Sequence, residues 1–264
     1  MNIQELQPQE VFSIFHEITQ VPRPSKREGK IIEWLKAFAV KHNLEYTVDE
    51  AGNIIMRKPA TPGYEDKPGV ILQAHMDMVC EKNNDTVHDF DNDPIHTYID
   101  GDFIKAQGTT LGADNGIAVA YCMALMDSKD VEHPEIEIIL TVEEEIGMGG
   151  ATDLDVFDLE GKRFLNMDTE EEGYLMVSCC GGRRMRMYLP VERVAASADK
   201  KTYAVRIRGL KGGHSGADIH LQRASANVLM GRMLLELKET VGYDLVKVNG
   251  GNMDNAICRE AEAV

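Results

Sequence analysis

The chain has 264 residues, 43% of them hydrophobic and 27% charged, with a formal net charge of −16. That hydrophobic content supports a sizeable core and more than one domain, which excludes a largely disordered chain. The acidity argues against nucleic acid or an anionic membrane surface as the partner.

In chain order, Val11, Phe12, Phe15 and Ile18 fall at helical spacing within residues 8–20. After Pro22-Arg23-Pro24, Ser25 and Glu28 form a capping-box pattern. A second amphipathic helix follows, carrying Ile31, Ile32, Leu35 and Phe38. Strands are predicted at 44–48, 54–57 and 70–74, the first two joined at Ala51-Gly52-Asn53. A helix begins near Asn115, with Ile117, Ala118, Tyr121, Leu125 and Met126 on one face, and strands follow at 137–142 and 164–167. The alternation implies an α/β domain over 1–182, a mixed β-sheet flanked by helices on both faces. The pattern changes near Gly181-Gly182. Strands at 185–189, 203–208 and 244–248 and a helix over 217–239 describe the start of a smaller α+β domain, 183–264.

No apolar run approaches the roughly 20 residues needed to cross a bilayer. Residues 1–20 lack a basic start, an apolar core and a cleavage site, so a cytoplasmic location is expected. The five cysteines (Cys80, Cys122, Cys179, Cys180 and Cys258) form no CxxC pair and read as reduced thiols.

Four segments place an acid or a histidine at a strand end or helix start. In Leu72-Gln-Ala-His75-Met-Asp77, His75 closes a buried strand. Asp77 points the same way and could hold the ring's other nitrogen, as a metal-ligating histidine requires. Alone, that pair reads better as a satisfied core histidine. Asp114 in Gly112-Ala-Asp114-Asn-Gly116 is an ordinary N-cap by itself, or else a carboxylate bridging two cations, where the flanking glycines permit an unusual backbone. Glu143-Glu144-Glu145 follow an apolar strand and are hard to explain as a solvated face. One could bind metal while its neighbour takes a proton from water, with Glu143 the bystander. Asp168 ends another apolar strand, where a turn former is common. Together, imidazole and hard oxygens are the donors of zinc, manganese or cobalt sites.

His75-Met-Asp77, Gly112-Ala-Asp114-Asn-Gly116, Glu144-Glu145-Ile-Gly147 and Asn166-Met-Asp168 resemble, in order and spacing, the motifs of the M20 co-catalytic zinc peptidases. The wording is most similar to the bacterial aminoacyl-histidine (Xaa-His) dipeptidases, and the likeness runs essentially the whole length. The resemblance implies two zinc ions, with manganese or cobalt as substitutes. His75 and Asp168 would hold one ion and Glu145 the other, with Asp114 bridging and Asp77 orienting His75. Glu144 would be the general base. It also implies a cis Asp114–Asn115 peptide, and a substrate-binding, oxyanion-stabilising His214 in Lys211-Gly-Gly-His214-Ser-Gly216. Asn255 would be a further substrate contact in the lid, and a homodimer would form through that domain. The remaining histidines match no motif.

The family's chains are longer, and a returning segment supplies a last histidine to the second zinc. Nothing here occupies that place, so a fragment with an exposed apolar sheet edge is expected. The activity implied is hydrolysis of small peptides, Xaa-His dipeptides foremost. An M20 deacylase or tripeptidase of other specificity is the alternative, as is an inactive metal-binding fragment.

Overall fold

The computed structural model describes residues 2–179, 185–196 and 199–264, in two compact units, Met1–Val177 and Ser178–Val264. In the first unit, helix α1 (Gln9–Thr19) and helix α2 (Gly29–Lys41) bury Val11, Phe15, Ile18, Ile31 and Leu35. They precede β1 (Glu45–Val48), β2 (Ile54–Lys58) and β3 (Val70–His75). A hairpin that was not anticipated, β4 (Thr97–Asp100) with β5 (Phe103–Ala106), then turns through Gly101, whose φ is +60°. Helix α3 (Ala113–Asp127), β6 (Ile136–Thr141), the short α4 (Gly149–Asp153) and β7 (Arg163–Asn166) complete the unit.

The sheet order is β1-β2-β6-β3-β7. β1, β2 and β6 pair antiparallel, whereas β3 lies parallel to both β6 and β7. Every residue of β6 is buried, as befits a central strand covered on both faces. On one face the three long helices pack against Ile54, Met56, Leu72, Ala74, Ile138 and Leu140. On the other, Ile55, Ile71 and Ile139 meet Leu154 and Leu159 in a thinner layer. Glu137 is buried within β6. It is satisfied by Arg57 Nε at 3.3 Å and by the backbone N–H groups of Glu160 (3.0 Å) and Gly161 (2.7 Å). β7 forms one edge of the sheet and leaves Phe164 58% and Leu165 52% exposed, the apolar edge that was expected.

The second unit holds β8 (Val205–Ile207), helix α5 (Ala226–Thr240), β9 (Val248–Gly250) and β10 (Ala261–Ala263). Its antiparallel sheet, β8-β10-β9, packs against Ala226 and Met230 of α5.

Several expectations are corrected. Residues 185–189 are not a strand: their alternation has no pairing partner among the described residues, and Met187 and Tyr188 stand exposed. The helix expected from Ala217 starts at Ala226, because Gln222 turns left-handed (φ +49°). Asp218 there binds His214 N and Arg223 Nη1 rather than continuing a helix. The strand expected at 244–248 is shifted to Val248–Gly250, where β10 supplies its ladder. Ser25 and Glu28 do not cap α2: the helix starts at Gly29, and both side chains are engaged elsewhere.

Candidate metal centre

β6, β3 and β7 run parallel and side by side, so the residues just past their carboxyl ends meet. In open α/β sheets that edge is where ligands bind. His75 is the last residue of β3, Glu144 and Glu145 follow β6, Asp168 follows β7, and Asp114 enters from the start of α3. The backbone there is unusual: Gly112 has φ +71°, Asp114 and Asn115 depart from helical angles, and the Asp114–Asn115 peptide is cis.

His75 Nε2 lies 3.0 Å from Asp114 Oδ1, 3.7 Å from Asp168 Oδ1 and 3.8 Å from Glu144 Oε2. The ligand atoms of His75, Asp114 and Asp168 fall within 4.8 Å of one another. Those of His75, Glu144 and Glu145 form a second, overlapping group. On the ring's other side, Nδ1 lies 3.2 Å from Asp77 Oδ1 and 3.1 Å from the Asp77 carbonyl. With Nδ1–H donated to Asp77, loss of the Nε2 proton would turn a lone pair toward the carboxylates, which is the tautomer of a metal ligand.

Asp77 is 0% exposed and itself accepts from Ser25 Oγ (2.7 Å), Glu144 N (3.1 Å) and Glu145 N (3.3 Å). It therefore ties the β3 end to the turn after β6. Asn115 Nδ2 donates to Asp168 Oδ1 at 2.6 Å and to the Met167 carbonyl at 3.2 Å, which orients the fourth segment.

The charges are out of balance. Burial, then repulsion from Asp114, pushes the Glu145 carboxyl up to about 8. Burial pushes Asp168 up to about 7; the attraction of His75 opposes this, and Asp114 and Glu144 add to it. Burial works against a charged His75, yet hydrogen bonds to Asp114 and Asp77 outweigh it and hold the imidazole at about 10. Asp77 stays below its ordinary value: burial would raise it, but the bond and charge of His75 prevail.

One imidazole and hard carboxylate oxygens are a suitable donor set for a divalent ion. Two ligands at about 2.0 Å from a tetrahedral ion stand about 3.3 Å apart, and the 3.0 and 3.7 Å spacings bracket that value. The residues present fit the metal the sequence implies.

His214 belongs to the second unit and is exposed. Its Nδ1 accepts from the backbone N–H groups of Gly216 (3.1 Å) and Ala217 (3.0 Å), which leaves the proton of the neutral ring on Nε2. Gly213 beside it has φ +137°, which strains any side chain, and a Cβ there would also crowd Arg223 Nη1 and Asp218 Oδ2. The Asn255 carbonyl accepts from Ser215 N at 2.8 Å.

Sequence reasoning missed Arg23, Asn115, and the true partners of Ser25 and Glu28. Glu28 Oε1 accepts from Lys26 N (2.9 Å) and Glu143 N (3.2 Å). One signal was Arg23 lying between two prolines, which fix the turn that carries it inward. Burial lowers its pKa to about 10 against the pull of Asp77, so it remains charged at neutral pH.

Imidazole and carboxylates gathered at the ends of parallel strands are donors that could hold a divalent ion of the kind hydrolases use. The profile described as Peptidase family M20/M25/M40 matches residues 71–232, and that of the peptidase dimerisation domain matches residues 205–264. The chain belongs to the M20/M25/M40 peptidase family. It is 44% identical over 261 residues to the cytosol non-specific dipeptidase of Escherichia coli, covering 99% of this chain and 54% of the relative. Its fold is similar to that of aminoacylhistidine dipeptidase from Vibrio alginolyticus, with a TM-score of 0.65 at 41% identity. That match covers 100% of this chain and 54% of the other. Aminopeptidase PepT from Bacillus cereus shares the fold at a TM-score of 0.53 and 21% identity, over 98% of this chain and 65% of its own. The chain thus spans about half the length of the first two relatives. Among the described residues, no helix is long and apolar enough to cross a membrane, and Cys80, Cys122, Cys179 and Cys258 are free thiols.

Proposed function

We propose that this chain carries the catalytic groups of a two-zinc dipeptidase. The observation that carries this reading is the pair of overlapping donor groups sharing His75; Glu144 belongs to the second and is assigned the proton rather than an ion. His75, Asp114, Asp168 and Glu145 would hold the divalent ions, which when bound would supply Lewis acidity to the scissile carbonyl and the attacking water. Glu144 accepts the water's proton and returns it to the leaving amine. Asp77 holds the His75 tautomer.

Xaa-His dipeptides are the favoured substrates. The Vibrio neighbour's name points to them, while the Escherichia coli relative is named as non-specific. The whole protein works in the cytosol as a homodimer joined through residues 205–264, the region matched by the dimerisation profile. In the full-length protein, Glu144→Gln should lower kcat by about 10²–10⁴-fold with metal content unchanged. Wild-type turnover in that variant would remove Glu144 from the role of base. Assaying Xaa-His dipeptides, histidine-free dipeptides and N-acyl amino acids side by side separates a dipeptidase from a deacylase.

A further inference from the structure

We propose that Arg23 is a positioning residue of the metal centre, its guanidinium fixing the spacing between the His75 turn and the Asp114 turn. The inference rests on the metallopeptidase reading above. Arg23 sits in the turn between α1 and α2 and is 2% exposed. Its Nη1 donates to the carbonyls of Met76 (3.1 Å) and Asp77 (3.0 Å), and its Nη2 donates to the carbonyl of Gly112. The main chain is engaged as well: Met78 N donates to the Arg23 carbonyl at 3.2 Å, and Pro24 forms a parallel bridge with Met78. One rigid, planar fork therefore spans the two turns that present His75 and Asp114.

The glycines around Asp114 supply an independent observation. A Cβ on Gly112 would lie 2.5 Å from Arg23 Nη2, and one on Gly116 would lie 2.6 Å from the same nitrogen. Gly112 also needs its left-handed φ of +71°. Gly116 has no positive φ, so close approach of the guanidinium accounts for its missing side chain. Gly112-Ala-Asp114-Asn-Gly116 is thus a cradle for Arg23 as well as the carrier of a ligand. Lysine cannot replace the fork: a single ammonium on a flexible stem offers no fixed pair of donor directions.

Removing a buried arginine destabilises a fold whatever its role, so the test must separate position from stability. Arg57 provides the control. It is a partly buried arginine of the same unit, bonded to Glu137 and to the Asp158 carbonyl, away from the strand ends that carry the ligands. Cobalt(II) is titrated into wild-type, Arg23→Lys and Arg57→Lys chains, reading affinity, the visible d–d spectrum and the metal-free Tm. Arg23→Lys should weaken cobalt binding about 10–100-fold and alter the spectrum, whereas Arg57→Lys lowers Tm and leaves both intact. Wild-type affinity and spectrum in Arg23→Lys would overturn the inference, as would equal cobalt loss in Arg57→Lys at equal Tm loss. If Arg23→Lys does not fold, Gly116→Ala is read by the same criteria, since it presses on Nη2 with the arginine retained. A wild-type chain that takes up no cobalt sinks the metal-centre reading and this inference together. Wild-type uptake with unaffected variants sinks this inference alone.

Discussion

Replacing Asp77 with asparagine removes a charge, keeps the shape, and has consequences that follow from four donors. Oδ1 faces His75 Nδ1 and Glu144 N, while Oδ2 faces Ser25 Oγ and Glu145 N. An asparagine must turn its NH2 toward one of these pairs. Toward Ser25 and Glu145, the serine hydroxyl can rotate to accept, but the Glu145 N–H meets another donor. Toward His75 and Glu144, the Glu144 N–H loses its acceptor, and Nδ1–H faces a second donor and keeps only the Asp77 carbonyl, which favours moving the proton to Nε2 and ending its use as a ligand. Either orientation leaves one backbone N–H without its acceptor, at a cost of about 1–3 kcal/mol. For a unit of this size that lowers Tm by roughly 2–12 °C, at about 2–4 °C per kcal/mol. Zinc affinity should fall about 10–100-fold, the usual effect of losing a histidine's orienting partner. Scanning calorimetry of the metal-free chain and a competitive zinc titration measure the two effects separately. An Asp77→Asn chain with wild-type Tm and zinc affinity would refute the account.

Three further outcomes follow from the charge balance and the core. Metal-free Tm should fall as pH rises from about 5 to 9. Glu145 and Asp168, held protonated up to about 8 and about 7, resist the ionisation that is free in the unfolded chain. The His75 contribution, complete below the unfolded histidine value, is lost toward about 10. Zinc should flatten that slope and release roughly two protons per chain near pH 7, measurable by titration calorimetry in buffers of different ionisation enthalpy; a proton count near zero contradicts these assignments. Glu137→Leu leaves the Glu160 and Gly161 N–H groups and Arg57 Nε without their acceptor. It should cost about 2–4 kcal/mol in urea unfolding, with zinc affinity unchanged.

What was legible in the sequence divides along a physical line. α1, α2 and the β2, β3 and β6 strands were visible because burial imprints a period on neighbouring residues, and each metal-site motif was visible because strand, turn and acid are contiguous. Ser25 and Glu28 show the limit. Ser-x-x-Glu before an apolar run offers oxygen acceptors to backbone N–H groups, and in isolation the nearest takers are those of the helix that follows. Here tertiary structure brings competing partners closer: Ser25 binds Asp77, and Glu28 binds the N–H of Glu143. For Glu28 the pattern named the right chemistry and the wrong N–H, which the fold decides; for Ser25 even the direction differs, since its hydroxyl donates to the Asp77 carboxylate. Arg23 makes the same point more strongly, since a lone arginine leaves no period in the sequence. Its trace lay instead in the glycines of another segment. Gly112 and Gly116 read as backbone freedom around a ligand, whereas Gly116 has an ordinary φ and gives up its side chain to admit a guanidinium. In such a site the sequence signature of a buried cation is the small residues that surround it, and those are interpretable only when the turn carrying the cation has been placed against them.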